Sequence, residues 1–172
     1  MPMDARNLLQ EWLDLLGWTD AIRLDEHDPA LAIVETPYRI GPFVWQLLVR
    51  ASSSTELASV RLYPPVVAKE DARSEVCLLL NALNARNVMG AFVLLSGDRI
   101  QFRIMTDFEG AAPAGRSIAL MSGSALDACL EFHEVLFAVA LGQLSAAEAL
   151  AAHDSRQKPL PEAISTESRA VH

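Results

Sequence analysis

The residues from Phe43 to Tyr63 restrict the fold more than any other stretch, because their side chains alternate while the flanking segments follow a helical repeat. In Phe43 to Ala51 (FVWQLLVRA), Phe43, Trp45, Leu47 and Val49 share one side, and Val44, Gln46, Leu48 and Arg50 share the other. In Leu57 to Tyr63 (LASVRLY), Ala58, Val60 and Leu62 oppose Ser59, Arg61 and Tyr63. A short strand, Ala30 to Thr36, closed by Pro37, precedes them, and the SSST segment turns the chain between the other two. Strands that are apolar on one side and mixed on the other predict an antiparallel meander with one wet face.

Helices bracket this meander. Asp4 stands at an N-cap position, Leu8, Leu9, Trp12, Leu15 and Leu16 recur at helical spacing, and Gly17 supplies the stop, which predicts a helix from Asp4 to Leu16. After Pro64-Pro65, Lys69 to Asn87 reads as a second helix with Ala72, Val76, Leu79, Leu80 and Leu83 on one stripe. Asn84 and Asn87 fall in or just past its last turn, where their side chains can satisfy free backbone groups. Ala91 to Ser96 and Arg99 to Met105 then flank Gly97-Asp98, a pair suited to a two-residue hairpin, with Ile100, Phe102 and Ile104 on one face.

FEGAAPAGRS reads as a flexible loop, with Ser122 or Ser124 capping a last long helix from Ala125 to about Leu141. That helix is apolar on most of its circumference: its one-sided stripe is Leu126, Leu130, His133, Phe137 and Leu141, but Cys129, Phe132, Leu136 and Val139 widen it considerably, so it needs cover on two sides. Ser145 and Glu148 form a capping box for a short helix ending at Ala152. The expected order is α-βββ-α-ββ-α, an α+β fold with an antiparallel sheet flanked by helices. Residues 4–152 are expected to form one domain, and the polar stretch 153–172 a disordered tail.

Charge and composition narrow the function. The 172 residues carry 14 basic and 22 acidic side chains, a net of -8, and this field disfavours nucleic-acid backbones. Cys77 and Cys129 sit in separate apolar helical runs without a CxxC or Cys/His companion, so two reduced, buried thiols in a cytoplasmic protein are expected. The N-terminal MPMDARNLLQEWLDLLGW lacks the positive start of a signal peptide, and FHEVLFAVALG is too short to span a bilayer.

Catalytic and metal chemistry find no residue set. His27, His133, His153 and His172 make no HxxxH or HExxH spacing, and His133 with Glu134 point about 100° apart on a helix. Ser122-Gly123-Ser124 lacks the strand and elbow of a hydrolase, and Gly110 to Gly115 lacks the Lys-Ser/Thr of a phosphate loop. Asp25, Glu26 and Asp28 lack the glycine and distal glutamate of a calcium loop and read as a solvated acidic turn. No enzyme, cofactor or metal is expected. What remains is apolar: Phe43, Trp45 and Leu47, with Tyr63 on the next strand and His133 and Phe137 on the last helix, are the candidates for partner contact.

The helix ending LLNALNARN, the hairpin GAFVLLSGDRIQFRIM and the closing helix ALDACLEFHEVLFAVALG resemble the YbjN family over about Ala5 to Leu150. That family is described as bacterial sensory transduction regulators and is similar in fold to class I type III secretion chaperones, those of the Tir chaperone type included. The resemblance implies a sheet flanked by helices, a homodimer and no catalytic residues. The expected function is a non-enzymatic protein-binding module, regulatory or chaperone-like, taking a protein or peptide client. The alternatives are a dedicated secretion chaperone for one effector, or a small-ligand-binding protein or enzyme with a pocket between sheet and last helix involving His133, Arg103 or Cys129.

Overall fold

The computed structural model describes residues 3–87, 89–109, 111 and 113–157. Its elements are α1 (Ala5–Leu16), β1 (Arg23–Leu24), β2 (Leu31–Ile40), β3 (Phe43–Ser52), β4 (Leu57–Tyr63), α2 (Arg73–Asn84), β5 (Ala91–Leu94), β6 (Ile100–Asp107), α3 (Gly115–Ala140) and α4 (Ala146–Gln157). A 3-10 turn at Glu70–Ala72 leads into α2. The strands form one antiparallel sheet in the order β1-β2-β3-β4-β6-β5, so the α+β class read from the sequence is the one observed.

Alternation produces two unlike faces. Ala32 and Val34 of β2, Trp45, Leu47 and Val49 of β3, Val60 and Leu62 of β4, and Phe102 and Ile104 of β6 all point inward and are buried. The helices lie on this inner face, with α3 crossing β2, β4 and β6 and α1 lying against β2 and β3. Pro37 continues β2 rather than ending it. β1 pairs only with Ala32 and Ile33, so Pro37 lies where β2 has no outer neighbour among the described residues, and its missing N–H faces no strand.

The longest departure from expectation is α3, which starts at Gly115, ten residues before Ala125. Ser122, Gly123 and Ser124 lie inside it instead of capping it. These small residues look like loop in a sequence, yet tertiary contact explains them. A Cβ on Gly115 would lie 2.5 Å from the backbone carbon of Glu11 and 2.5 Å from the nitrogen of Trp12, so only glycine lets α1 cross there. Glu11 accepts from the Gly115 amide (3.0 Å), and the buried Trp12 indole donates to Ser122 Oγ (3.3 Å). The buried side of α3 runs through Ile118, Ala125, Cys129, Phe132 and Leu136. The stripe expected to face inward, Leu126, Leu130, His133, Phe137 and Leu141, is its half-exposed flank.

Two smaller corrections concern turns and tails. The β5–β6 connection holds three residues, Ser96 to Asp98, with Leu95 N–H bonded to Arg99 O (2.8 Å), and both Gly97 and Asp98 have positive φ. The short helix continues past Ala152 to Gln157, so residues 153–157 are helical, while 158–172 lie outside the described residues. Its start is the expected capping box, with Ser145 and Glu148 exchanging hydrogen bonds (2.8 and 3.3 Å). Arg86 reaches Asp154 with both terminal nitrogens (2.6 and 3.0 Å), Arg156 pairs with Glu134, and buried His153 leans on Phe132 beside Glu131. These contacts hold α4 across α2 and α3.

Asn84 joins helix to sheet. Its amide nitrogen donates to the Phe92 carbonyl (2.9 Å) and its oxygen accepts from the Phe92 N–H (2.7 Å), so one side chain does the work of a neighbouring strand for β5. Asn87 donates to the Leu83 carbonyl (3.0 Å), closing the helix end. Asn84→Ala leaves both Phe92 groups unpaired and is expected to cost roughly 2–4 kcal/mol at about 1–2 kcal/mol per lost bond, read by urea unfolding. Asn84→Asp, which keeps only the acceptor, is expected to fall between it and the wild type.

Candidate protein-binding surface

The outer face of the sheet has no covering layer among the described residues. Register sets its side chains in rows. One row runs Arg23, Ile33, Arg50, Ser59, Met105, and the next runs Glu35, Leu48, Arg61, Arg103, Ala91. A third contains Pro37, Gln46 and Tyr63. Val44 and Met105 are about half exposed, at 47% and 53%, although both belong to strands whose opposite face is sealed.

Two shallow depressions mark this face. One of about 640 Å³ is lined by Arg23, Glu35, Thr36, Pro37, Val44, Trp45 and Gln46. The other, about 250 Å³, lies over β3, β4 and β6 and is lined by Asp28, Arg50, Ser52, Thr55, Ser59, Arg61 and Met105 among others. Glu35 is occupied by Arg23 (2.8 Å) and Gln46. Arg99 lies over the Tyr63 ring (4.8 Å), whose hydroxyl accepts from Gln101. The Nε atoms of Arg50 and Arg61 are buried without a hydrogen-bond partner. Arg61 and Arg103 stand directly opposite each other, an arrangement of like charges that works against the fold.

The six partner-contact candidates divide between the two faces. Trp45 and Leu47 point into the core, and the Trp45 indole N–H is buried without an acceptor. Phe43, His133 and Phe137 gather at the β2–β3 turn: Phe43 stacks on Phe137 at 4.2 Å, and the His133 ring lies against Gly41, where a Cβ would be 3.2 Å from Nε2. Tyr63 belongs to the outer face. The arrangement therefore brings Phe43, His133 and Phe137 together and sets Tyr63 apart. No local motif in the sequence joins Arg50, Arg61 and Arg103. Each occupies the wet side of its strand, but their convergence depends on β4 lying between β3 and β6, which no local pattern specifies.

The postulated pocket between sheet and last helix does not form from its three residues. Arg103 is on the outer face, Cys129 is buried under α3, and His133 is at the turn with Nδ1 2.7 Å from the Leu130 carbonyl. The acidic turn is internally satisfied, since the amides of His27 and Asp28 donate to Asp25 (2.9 and 3.1 Å) and hold its carboxyl below the usual range. Among the described residues no group of three or more His, Cys, Asp or Glu could hold a metal ion, and no helix is long and apolar enough to cross a membrane.

This sheet, with helices on one side and an open face on the other, is the fold of a known family. The sequence matches the YbjN profile, described as "Putative bacterial sensory transduction regulator", over residues 5–138, and the chain belongs to that family. Among solved structures it is similar to the crystal structure of the ExsC-ExsE complex, with a TM-score of 0.54, 14% identity, and coverage of 75% of this chain and 90% of that one. It is also similar to the crystal structure of YbjN from E. coli, with a TM-score of 0.50, 11% identity, and coverage of 73% and 89%. At such identities the likeness is one of fold. No curated protein sequence matches this chain.

The cysteines correct one expectation, because only Cys129 is buried, whereas Cys77 is exposed on α2. Burial pushes the Cys129 thiol well above its ordinary range. Native alkylation with iodoacetamide at neutral pH should therefore label Cys77 and spare Cys129 in peptide mass spectra. Equal labelling would show that α3 opens readily. Arg103→Glu should turn the repulsion with Arg61 into an attraction and raise stability by roughly 0.5–1 kcal/mol at low salt. In thermal melts, added salt should shrink that gain.

Proposed function

We propose that this chain is a non-catalytic protein-binding module, regulatory or chaperone-like, working in the cytoplasm as a homodimer, with residues 4–152 as its functional unit. The observation that carries the reading is the open sheet face, where apolar and polar side chains lie side by side over a sealed core. Membership of a family described as signalling regulators agrees with it. The cluster of Phe43, His133 and Phe137 at the β2–β3 turn, and Tyr63 on the outer face, supply contact residues, while Trp45 and Leu47 fix the strand beneath them.

The dimer draws support from the helical side. Leu78 of α2 and Leu120 and Leu130 of α3 are 60%, 61% and 52% exposed, leaving leucines for a second copy to cover. A second reading, a dedicated secretion chaperone for one effector, is favoured by the likeness to a structure that is itself a complex of two named proteins.

Light scattering and native mass spectrometry of the purified full chain test both readings. A mass of two chains with one retained polypeptide at fixed stoichiometry is the result expected of a dedicated chaperone. Several exchanging partners are the result expected of a regulator. Leu130→Glu should convert the dimer to a monomer that still melts cooperatively, at a temperature lower by the lost association. A stable 18.8 kDa wild-type species that retains no protein would overturn the proposal.

A further inference from the structure

We infer that the outer face of the sheet docks an acidic, extended segment of a partner polypeptide, with Arg50, Arg61 and Arg103 receiving its carboxylates. The inference rests on the protein-binding reading above and names the chemistry of what is bound.

Charge is the first argument. The chain has a net charge of -8, yet these three arginines lie together on adjacent strands of one face. Their own face offers little to neutralise them. Glu35 is taken by Arg23 and Gln46. Asp107 is at the far end of β6, opposite Leu57. Asp25 lies close enough to Arg50 to feel its charge, and Asp28 lines the depression, so these two carboxylates offset part of the positive charge at the Arg50 end, while accepting from backbone amides of their own turn.

The second argument is incomplete bonding. A buried guanidinium nitrogen without an acceptor is costly, and here two of them, on Arg50 and Arg61, line or border the same depression of about 250 Å³. The hydroxyls of Ser52 and Ser59 line it too. A planar fork of N–H donors beside hydroxyls matches a carboxylate. The opposed pair Arg61 and Arg103 gives the same answer, because a carboxylate placed between them converts repulsion into two attractions.

The apolar neighbours decide between occupants. Leu48 and Met105 lie in the same rows as the arginines, so the partner must bring apolar side chains between its charges. An extended polypeptide alternating acidic and apolar residues does so, and a phosphate backbone does not. A second copy of this chain would set arginine against arginine.

The test is fluorescence anisotropy of the full chain with a short labelled peptide alternating glutamate and leucine, its lysine-for-glutamate counterpart, and a labelled single-stranded DNA of similar length. The glutamate peptide should bind, weakening as salt rises, and the lysine peptide should not. The triple variant Arg50→Gln, Arg61→Gln, Arg103→Gln should bind it at least roughly tenfold more weakly, the loss expected for even one charged hydrogen bond. Arg116→Gln, on α3, should not change it, and melting curves confirm that both variants fold. Equal binding by the triple variant, equal binding of both peptides, or tighter binding of the DNA would each overturn the inference. So would loss of dimerisation in the triple variant, since it would assign the face to a second copy. A partner found by native mass spectrometry and still held by the triple variant would overturn this inference alone and leave the protein-binding reading intact.

Discussion

The crossing of α1 over the start of α3 is the constraint on which the remaining structure depends. Gly115 has no room for a methyl group, and the closeness it permits lets Trp12 sink fully and bond Ser122. With α1 and α3 locked, both lie flat on the inner sheet face, and α2 and α4 close the far side of α3. The buried helix surface is spent on one side of the sheet, while Leu78, Leu120 and Leu130 stay exposed on the helices. The opposite side carries no covering element among the described residues.

Much of this order was legible in the residues. Asp4 and Gly17 bound α1 as capping chemistry requires, and Asp4 accepts from the Asn7 amide (3.1 Å). The inward set of β3, β4 and β6 follows directly from alternation. What escaped the sequence had tertiary causes. The first ten residues of α3 hold two glycines and three serines, weaker helix formers, and the proximity of α1 explains Gly115 and Ser122. In α3 the one-sided stripe is the flank, where leucine and phenylalanine dominate, while Cys129, Phe132, Leu136 and Val139, which widen the apolar face in the sequence, are the buried side. Asn84 was recognised as a fastening residue, but its partner, Phe92, lies in another element.

The candidate surface was half legible. Residues of the wet side were identified strand by strand, but a surface is made across strands, and the order β3-β4-β6 is a long-range outcome. Of the aromatic candidates, Trp45 points into the core. The arginines that matter to the proposed docking looked like ordinary solvating charges. Family membership agrees with the proposed regulatory role, and the proposal draws on an exposed sheet whose arginines contrast with the net negative charge of the chain.

Pro37 bears on a different matter, the behaviour of these molecules at high concentration. β1 covers only two residues of β2, so the rest of that strand forms a free rim to which a foreign strand could add. At Pro37 the rim offers a carbonyl but no N–H, and the neighbouring Glu35 and Arg39 place charge beside it. A ladder growing along this rim would break at that residue. The sheet can keep one broad face bare and still resist stacking edge to edge into fibrils, because the proline interrupts the rim and leaves the face untouched.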